Sequence, residues 1–242
     1  MNTYFTYSTY EQLIESLTSK GFKTSYFGQT THGKTLYLRH DIDFCVLKAL
    51  EFAKFEASLG VASTYFLMLE NPAYNLFCPE VKEAAYEIVN LGHQVGLHYV
   101  LGDNDLREDV IKQCQQLEGI LNVSVQSFSF HRPAYWQGSG FSPSEVTIEG
   151  KNNAYSPLYF GKDKYISDSN HHWRCGSPLD FVQAFQGESL QILTHPIWWT
   201  ELPEDPYEKV QQFIAQHRKS TYDYFQNNVT LLQTQPALSE ER

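Results

Sequence analysis

The chain has 242 residues, of which 42% are hydrophobic and 19% charged, which is the composition of a globular protein with a sizeable core. Its formal net charge of −10 argues against a nucleic-acid partner. No apolar stretch approaches the roughly 20 residues that a membrane-spanning helix needs, and the N-terminus lacks the basic flank and apolar core of a signal peptide. We therefore expect a cytoplasmic protein whose four cysteines stay reduced.

Helix and strand patterns alternate along the first half of the chain. Apolar stripes and strand-forming runs predict, in this order, a helix over 10–17, a strand opening at 36, a helix over 46–59, a strand over 62–68, a helix over 79–91, a strand over 94–97, a helix ending at 121 and a strand over 125–130. This alternation, with a repeat of roughly 26 to 32 residues, is typical of βαβ units and a parallel sheet.

The second half of the chain is less regular. Residues 134–187 are rich in Gly, Ser, Pro and Asn, which favours long loops, with one short strand over 165–168. A last strand over 188–194 and a long helix over 207–227 follow.

No linker interrupts this pattern, so we predict one catalytic domain over residues 1–242. Residues 1–34 are expected to form a helical N-terminal extension, and residues 233–242 a flexible tail. The sequence does not determine the oligomeric state.

Polar residues stand where the predicted strands end. They are Asp41 with Asp43, His98, His131 with Arg132, and His195. In parallel α/β folds the carboxyl ends of the strands form the active-site face. Because several strand ends then converge on one site, a sheet closed into a barrel is favoured.

The pair Asp41 and Asp43 is the most unusual of these features. Side chains alternate along a strand, so both carboxylates point the same way. Two adjacent carboxylates cannot both ionise comfortably without a cation or a shared proton. The alternative is that the pair caps the next helix, where Asp is welcome, but one Asp would suffice for that.

The order of the motifs resembles a known family. The series is His40-Asp41-Ile42-Asp43, Gly96-Leu97-His98, His131-Arg132-Pro133, Asp168 with Trp173, and Leu193-Thr194-His195-Pro196. It resembles the NodB-homology polysaccharide deacetylases, the fourth carbohydrate esterase family, and in particular their divergent branch associated with bacterial surface-polysaccharide synthesis. The resemblance covers about residues 36–199 and implies an α/β fold, a distorted and incomplete (β/α) barrel.

The resemblance assigns Asp41 to the catalytic base and Asp43 to a metal ligand, although the two roles could be exchanged. His98 matches the first metal-binding histidine of the family, but Gly102 stands where the second would be.

A zinc site needs about three protein ligands, so a third ligand must replace the missing histidine. We favour His131, which ends the next strand. Asp103 and His93 are weaker candidates, and His93 is expected to face solvent just after a helix end.

The other motifs imply the remaining roles. Arg132 resembles the arginine that orients the base, and Asp168 the acid that pairs with this arginine. The backbone N–H of Tyr135 would help to hold an oxyanion, and His195 resembles the general acid. Trp173 resembles the aromatic wall of the pocket, and Trp198 belongs to the same aromatic rim, which suits a sugar.

These roles together imply a metal-dependent deacetylase with zinc as the expected ion. A metal-bound water would attack the amide carbonyl of an N-acetylated sugar in a surface-polysaccharide precursor, lipid-linked or nucleotide-linked. Two alternatives stay open: a catalytically silent carbohydrate-binding domain of the same fold, and a hydrolase of another non-peptide C–N bond.

Overall fold

The computed structural model describes residues 5–29, 32–102, 105–132 and 145–233. The strands in this part of the chain are β1 (Lys23–Thr24), β2 (Thr35–Ile42), β3 (Thr64–Leu67), β4 (Gln94–Tyr99), β5 (Ser127–Phe130), β6 (Thr147–Ile148), β7 (Lys151–Asn153), β8 (Tyr165–Ser167) and β9 (Ser189–Thr194). The helices are α1 (Tyr7–Ser19), α2 (Val46–Ser58), α3 (Pro79–Asn90), α4 (Leu106–Leu121), α5 (Pro178–Ala184), α6 (Pro206–Asn228) and α7 (Thr230–Gln233), with short 3-10 turns at Ser169–His171 and Pro196–Trp198.

The strands form one sheet in the order β6-β7-β5-β4-β3-β2-β9-β8, and β1 pairs with β2 outside this path. Every pairing is parallel except that between β6 and β7. Among the described residues β6 and β8 are the two edges, so the barrel is incomplete.

The sheet is strongly curled. Three strand spacings, or roughly 14 Å in a flat sheet, separate β2 from β5. Nevertheless the side chains of Asp43 and His131, which directly follow these two strands, approach to 3.3 Å. Likewise, the Arg39 guanidinium on β2 lies 4.3 Å from the ring centre of Tyr155, which follows β7. The predicted fold, a distorted and incomplete (β/α) barrel, is confirmed.

β2 is buried at every position, on both faces of the sheet. Leu36, Leu38 and Ile42 belong to the main hydrophobic core, together with residues of the helices. Tyr37 belongs to a second, smaller cluster inside the curl, with Phe27, Phe66, Ala154 and Tyr159. Arg39 and Asp41 lie on the same face of β2 as Tyr37, and the Phe66 ring of this cluster lies 5.5 Å from the Arg39 guanidinium.

A buried carboxylate joins β2 to the helices on its other face. Glu56 of α2 is fully buried, and its partners are the hydroxyls of Tyr10, Ser63 and Tyr65, the last at 2.8 Å, and His40 Nε2 at 3.0 Å. His40 Nδ1 lies 2.6 Å from Thr194 Oγ1 on β9. This network therefore ties α1, α2, β2, β3 and β9 together.

The described residues from 5 to 203 form one compact unit, and those from 204 to 233 form a second. In the first unit α1 contributes Tyr10, Leu13 and Leu17 to the main core. The second unit contains α6, whose N-cap Asp205 accepts from the backbone N–H groups of Tyr207 and Glu208. Apart from Gln233, the predicted tail lies outside the described residues.

None of the described helices is both long and apolar enough to span a bilayer.

Candidate active site

The predicted strand-end residues meet at the carboxyl edge of the sheet. Asp43 directly follows β2, His98 is the penultimate residue of β4, and His131 directly follows β5. Asp168 and His195 directly follow β8 and β9. Parallel strands bring their carboxyl ends to one edge, and the curl of this sheet then brings the side chains into contact.

Asp41 is held by an arginine of its own strand. Arg39 Nε donates to Asp41 Oδ1 at 2.8 Å, and Arg39 Nη2 donates to Asp41 Oδ2 at 2.7 Å. Arg39 is 0% exposed and Asp41 is 3% exposed. Burial alone would raise the pKa of Asp41, but the Arg39 guanidinium and His98 hold it below its ordinary value. Asp41 is therefore a buried carboxylate that stays ionised.

Arg39 is itself held in place inside the barrel. Its Nη1 donates to Gln191 Oε1 at 3.4 Å. The Gln191 amide nitrogen donates to the carbonyl oxygens of Ala154 at 3.0 Å and Tyr159 at 3.2 Å, which fixes the orientation of the amide. The ring of Tyr155 covers the guanidinium at 4.3 Å. The sequence signal for this residue was an arginine inside an apolar strand, two positions before Asp41 and hence on the same face.

This arrangement corrects two expectations about Arg132. The family resemblance implies that Arg132 contacts Asp41, but Arg39 makes that contact, and Arg132 is exposed with a left-handed φ of 51°. Asp168, expected to pair with Arg132, pairs with His195 instead. The physical reason is distance along the chain: residues two apart on a strand share a face, so Arg39 reaches Asp41 directly.

Asp43, His98 and His131 form a group that could hold a metal ion. Asp43 Oδ1 lies 3.2 Å from His98 Nε2 and 3.3 Å from His131 Nδ1, and the three atoms lie within 4.8 Å of one another. A tetrahedral zinc ion with bonds of about 2.0–2.1 Å separates its ligand atoms by about 3.3 Å. The two distances from Asp43 Oδ1 therefore fit a shared ion.

Two further observations fit a metal ion. Asp43 Oδ1 is buried, and although two imidazole nitrogens face it, it forms no hydrogen bond of regular geometry within the described part of the chain. His98 Nδ1 lies 2.7 Å from Ser129 Oγ, which leaves Nε2 directed at Asp43. Burial alone would raise the pKa of Asp43, but the facing nitrogens of His131 and His98 hold it well below its ordinary value. The group thus offers one ionised oxygen and two imidazole nitrogens.

The other candidates for the third ligand lie elsewhere. His93 does not face solvent as expected. It is buried, with Nε2 3.0 Å from the carbonyl oxygen of Ala53 and Nδ1 2.9 Å from Ser63 Oγ. A side chain at Gly102 would meet open space, and Asp103 lies outside the described residues.

His195 forms a second charged centre with Asp168. His195 Nδ1 lies 2.6 Å from Asp168 Oδ1, and the other Asp168 oxygen accepts from the backbone N–H of His195 at 3.0 Å and from Trp199 Nε1 at 2.9 Å. His195 Nε2 faces Asp43 Oδ2 at 3.8 Å. Burial alone would lower the pKa of His195, but the Asp168 carboxylate raises it to about 9. The imidazole therefore carries a proton at neutral pH and presents it to the Asp43 side of the site.

The aromatic residues are placed differently from expectation. Trp173, expected to form the pocket wall, is 3% exposed and packs in the core near Phe5 and Trp199, at ring-centre distances of 6.2 and 6.3 Å. Trp198 is half-buried, with its ring edge-on to His171. Tyr135 lies outside the described residues. Of the two predicted tryptophans, Trp198 is the more accessible.

The fold and the site together define what these residues can do chemically. A mostly parallel curled sheet carries a two-histidine, one-carboxylate cluster, an ionised buried carboxylate and a protonated imidazole at its carboxyl edge. Such a set of groups can bind a divalent ion and exchange protons beside it.

Comparison with known proteins finds similarity only among solved structures, since no protein-family model and no curated protein matches the chain. A carbohydrate esterase family 4 pseudoenzyme from Bacillus anthracis is similar over 81% of this chain and 64% of its own, with 16% identity and a TM-score of 0.48. A family 4 carbohydrate esterase from the same organism is similar over 86% of each chain, with 16% identity and a TM-score of 0.43.

A peptidoglycan deacetylase from Bacillus subtilis is similar over 82% of this chain and 98% of its own, with 12% identity and a TM-score of 0.45. The two Bacillus anthracis proteins carry the name of the family that the motif order resembles. At such identities the likeness concerns the fold alone, and the chain spans less than two thirds of the pseudoenzyme's length.

Proposed function

We propose that the chain is a metal-dependent hydrolase that removes the acetyl group from an N-acetylated sugar of a surface-polysaccharide precursor. The observation that carries this proposal is the cluster of Asp43, His98 and His131 beside an ionised Asp41 and a protonated His195. The choice of an N-acetylated sugar rests on the order of the motifs along the chain.

Asp43 Oδ1, His98 Nε2 and His131 Nδ1 would hold the ion. Zinc suits two imidazoles and one carboxylate, and a three-ligand site leaves a position open for a water or a substrate oxygen. A divalent ion held there would lower the pKa of a bound water and polarise the acyl oxygen of the substrate.

Asp41 acts as the general base in this proposal. The Arg39 fork keeps the carboxylate ionised and fixes its direction, and each carboxylate oxygen still has a further lone pair with which to accept a proton. Asp43 acts as the ligand because its Oδ1 is the oxygen that faces both histidines.

His195 acts as the general acid. Asp168 binds Nδ1, so Nε2 carries the proton that faces the site. The leaving amine receives this proton, because an amide nitrogen cannot depart as an anion. The products are acetate and an amino sugar. We assign two further roles. The Tyr135 backbone N–H would donate to the oxyanion, and Trp198 would contact the sugar ring.

The test measures zinc content and acetate release from N-acetylglucosamine oligomers by the zinc-loaded and the chelator-treated protein. Asp41→Asn and His195→Gln should each lower acetate release by at least about 10²-fold. Asp163→Asn and His217→Gln, which change exposed residues of the same types, are the matched controls. Unchanged release in the site variants would overturn the mechanism. Zinc binding and sugar binding without acetate release would favour the silent binding domain instead.

A further inference from the structure

Asp43 lies just beyond the regular hydrogen-bond ladder of its strand. The pairing of β2 with β3 ends at Ile42, opposite Leu67, and α2 begins only at Val46. Asp43 therefore occupies a bend between a strand and a helix. Backbone groups in such a place need hydrogen-bond partners outside the ladder, and these partners help to fix the direction of the side chain.

The loop between β3 and α3 provides these groups. Asn71 Nδ2 donates to the carbonyl oxygen of Asp43 at 2.9 Å. The Tyr74 hydroxyl donates to the carbonyl oxygen of Ile42, also at 2.9 Å, and accepts from the backbone N–H of Met68 at 2.7 Å. Two side chains of one loop thus bind the backbone carbonyls on either side of the Asp43 Cα, which carries the candidate metal ligand.

Asn71 is itself oriented by the loop. Its Oδ1 accepts from the backbone N–H of Ala73 at 2.6 Å, so its amide nitrogen is the atom directed at Asp43. Both Asn71 and Tyr74 are partly buried, and neither belongs to the motif series that the sequence brings out.

We propose that Asn71 and Tyr74 are positioning residues that aim Asp43 at the ion and thereby set the metal affinity of the site. This inference rests on the proposed metal site. Groups that orient a metal ligand typically change the affinity about 10- to 100-fold when they are removed. The β3–α3 loop is therefore part of the metal centre, although it supplies no ligand.

The test compares Asn71→Ala and Tyr74→Phe with Asn75→Ala in the 242-residue chain. Asn75 is an exposed asparagine of the same loop whose Oδ1 accepts from the backbone N–H of Phe77, so its variant removes an equivalent turn contact away from Asp43. Zinc and cobalt affinities are measured by calorimetry, cobalt coordination by its visible spectrum, and stability by the Tm of the metal-free protein.

We expect Asn71→Ala and Tyr74→Phe each to weaken metal binding about tenfold or more and to alter the cobalt spectrum, while Asn75→Ala keeps the wild-type affinity and spectrum. Tyr74→Phe removes a single hydroxyl, so it keeps the test decisive if Asn71→Ala does not fold.

If Asn71→Ala and Tyr74→Phe both bind metal with the wild-type affinity, the inference is overturned and the proposed function still stands. An equal loss in Asn75→Ala would overturn it as well. Absence of metal binding by the wild-type protein would instead overturn the proposed metal site itself.

Discussion

Arg39 and Asp41 stand two residues apart on β2 and form a two-pronged ion pair inside the barrel, with N–O distances of 2.8 and 2.7 Å. The strand that carries the proposed base therefore also carries the cation that keeps it ionised. Arg132, which the family resemblance places beside the base, is exposed instead.

We predict that Arg39→Lys lowers the kcat of acetate release by about 10²-fold, because an ammonium group cannot reproduce the two parallel hydrogen bonds of the guanidinium. Arg132→Lys is the matched variant, and its effect on kcat should be much smaller. A larger loss in the Arg132 variant would mean that the arginine roles are reversed.

Replacing the acid that orients His195 should affect the rate more than substrate binding. Asp168→Asn removes the charge that faces His195 Nδ1 at 2.6 Å, so the imidazole loses both its fixed orientation and its raised pKa. We expect kcat to fall by about 10²-fold or more, with a small change in KM. Steady-state kinetics beside Asp163→Asn checks this expectation, and an unchanged kcat would contradict it.

Metal binding should stabilise the folded protein through His131. Because the ion binds the native state, zinc at about 1,000 times its Kd should add about 4 kcal/mol to the free energy of unfolding. We expect zinc to raise the Tm of the wild-type protein and of His172→Gln, an exposed control, but not that of His131→Gln. A normal zinc response in the His131 variant would exclude this residue as a ligand.

The buried Glu56 should be a main support of the fold. Its carboxylate has three hydroxyl partners and one imidazole partner. Glu56→Gln replaces one acceptor by a donor that faces other donors, and we expect it to lower the free energy of unfolding by about 3 kcal/mol. Glu51→Gln, an exposed change in the same helix, should cost about 0.5 kcal/mol or less. Urea unfolding at neutral pH measures both.

Glu56 also predicts acid sensitivity. Burial alone would raise the pKa of this carboxyl, but His40 and the surrounding donors lower it from 4.5 to about 2 in the folded protein. A lowered folded-state pKa stabilises the protein above the unfolded pKa of 4.5 and loses that contribution as the pH falls towards 2. The wild-type protein should therefore lose about 3 kcal/mol more than Glu56→Gln over this interval. Parallel stability curves for the two proteins would contradict the assignment.

The strand-end residues could be recognised from the sequence because chain connectivity leaves little choice. Once apolar periodicity indicates parallel strands joined by helices, the residues after each strand share one edge of the sheet. Asp43, His98, His131 and His195 were placed in one site by that rule, and the structure brings them together. The α/β fold with a parallel sheet followed from the same alternation, and the incomplete barrel followed from the family resemblance.

Other features depended on how the sheet curls, which local patterns do not determine. Arg39 meets the Tyr155 ring because one face of β2 lies inside the curl. His93 and Trp173, which could have faced solvent or substrate, are buried by packing between elements that are distant in sequence.

The sequence by itself indicated which strand ends meet, because parallel strands joined by helices bring their carboxyl ends to one edge of the sheet. The two-residue spacing of Arg39 and Asp41 likewise puts both side chains on one face of β2. Only the tertiary structure decided that Asp43 Oδ1 faces His98 and His131, whereas Arg132 is exposed. The curl of the sheet brings these histidines to Asp43, and no spacing along the chain encodes that curl.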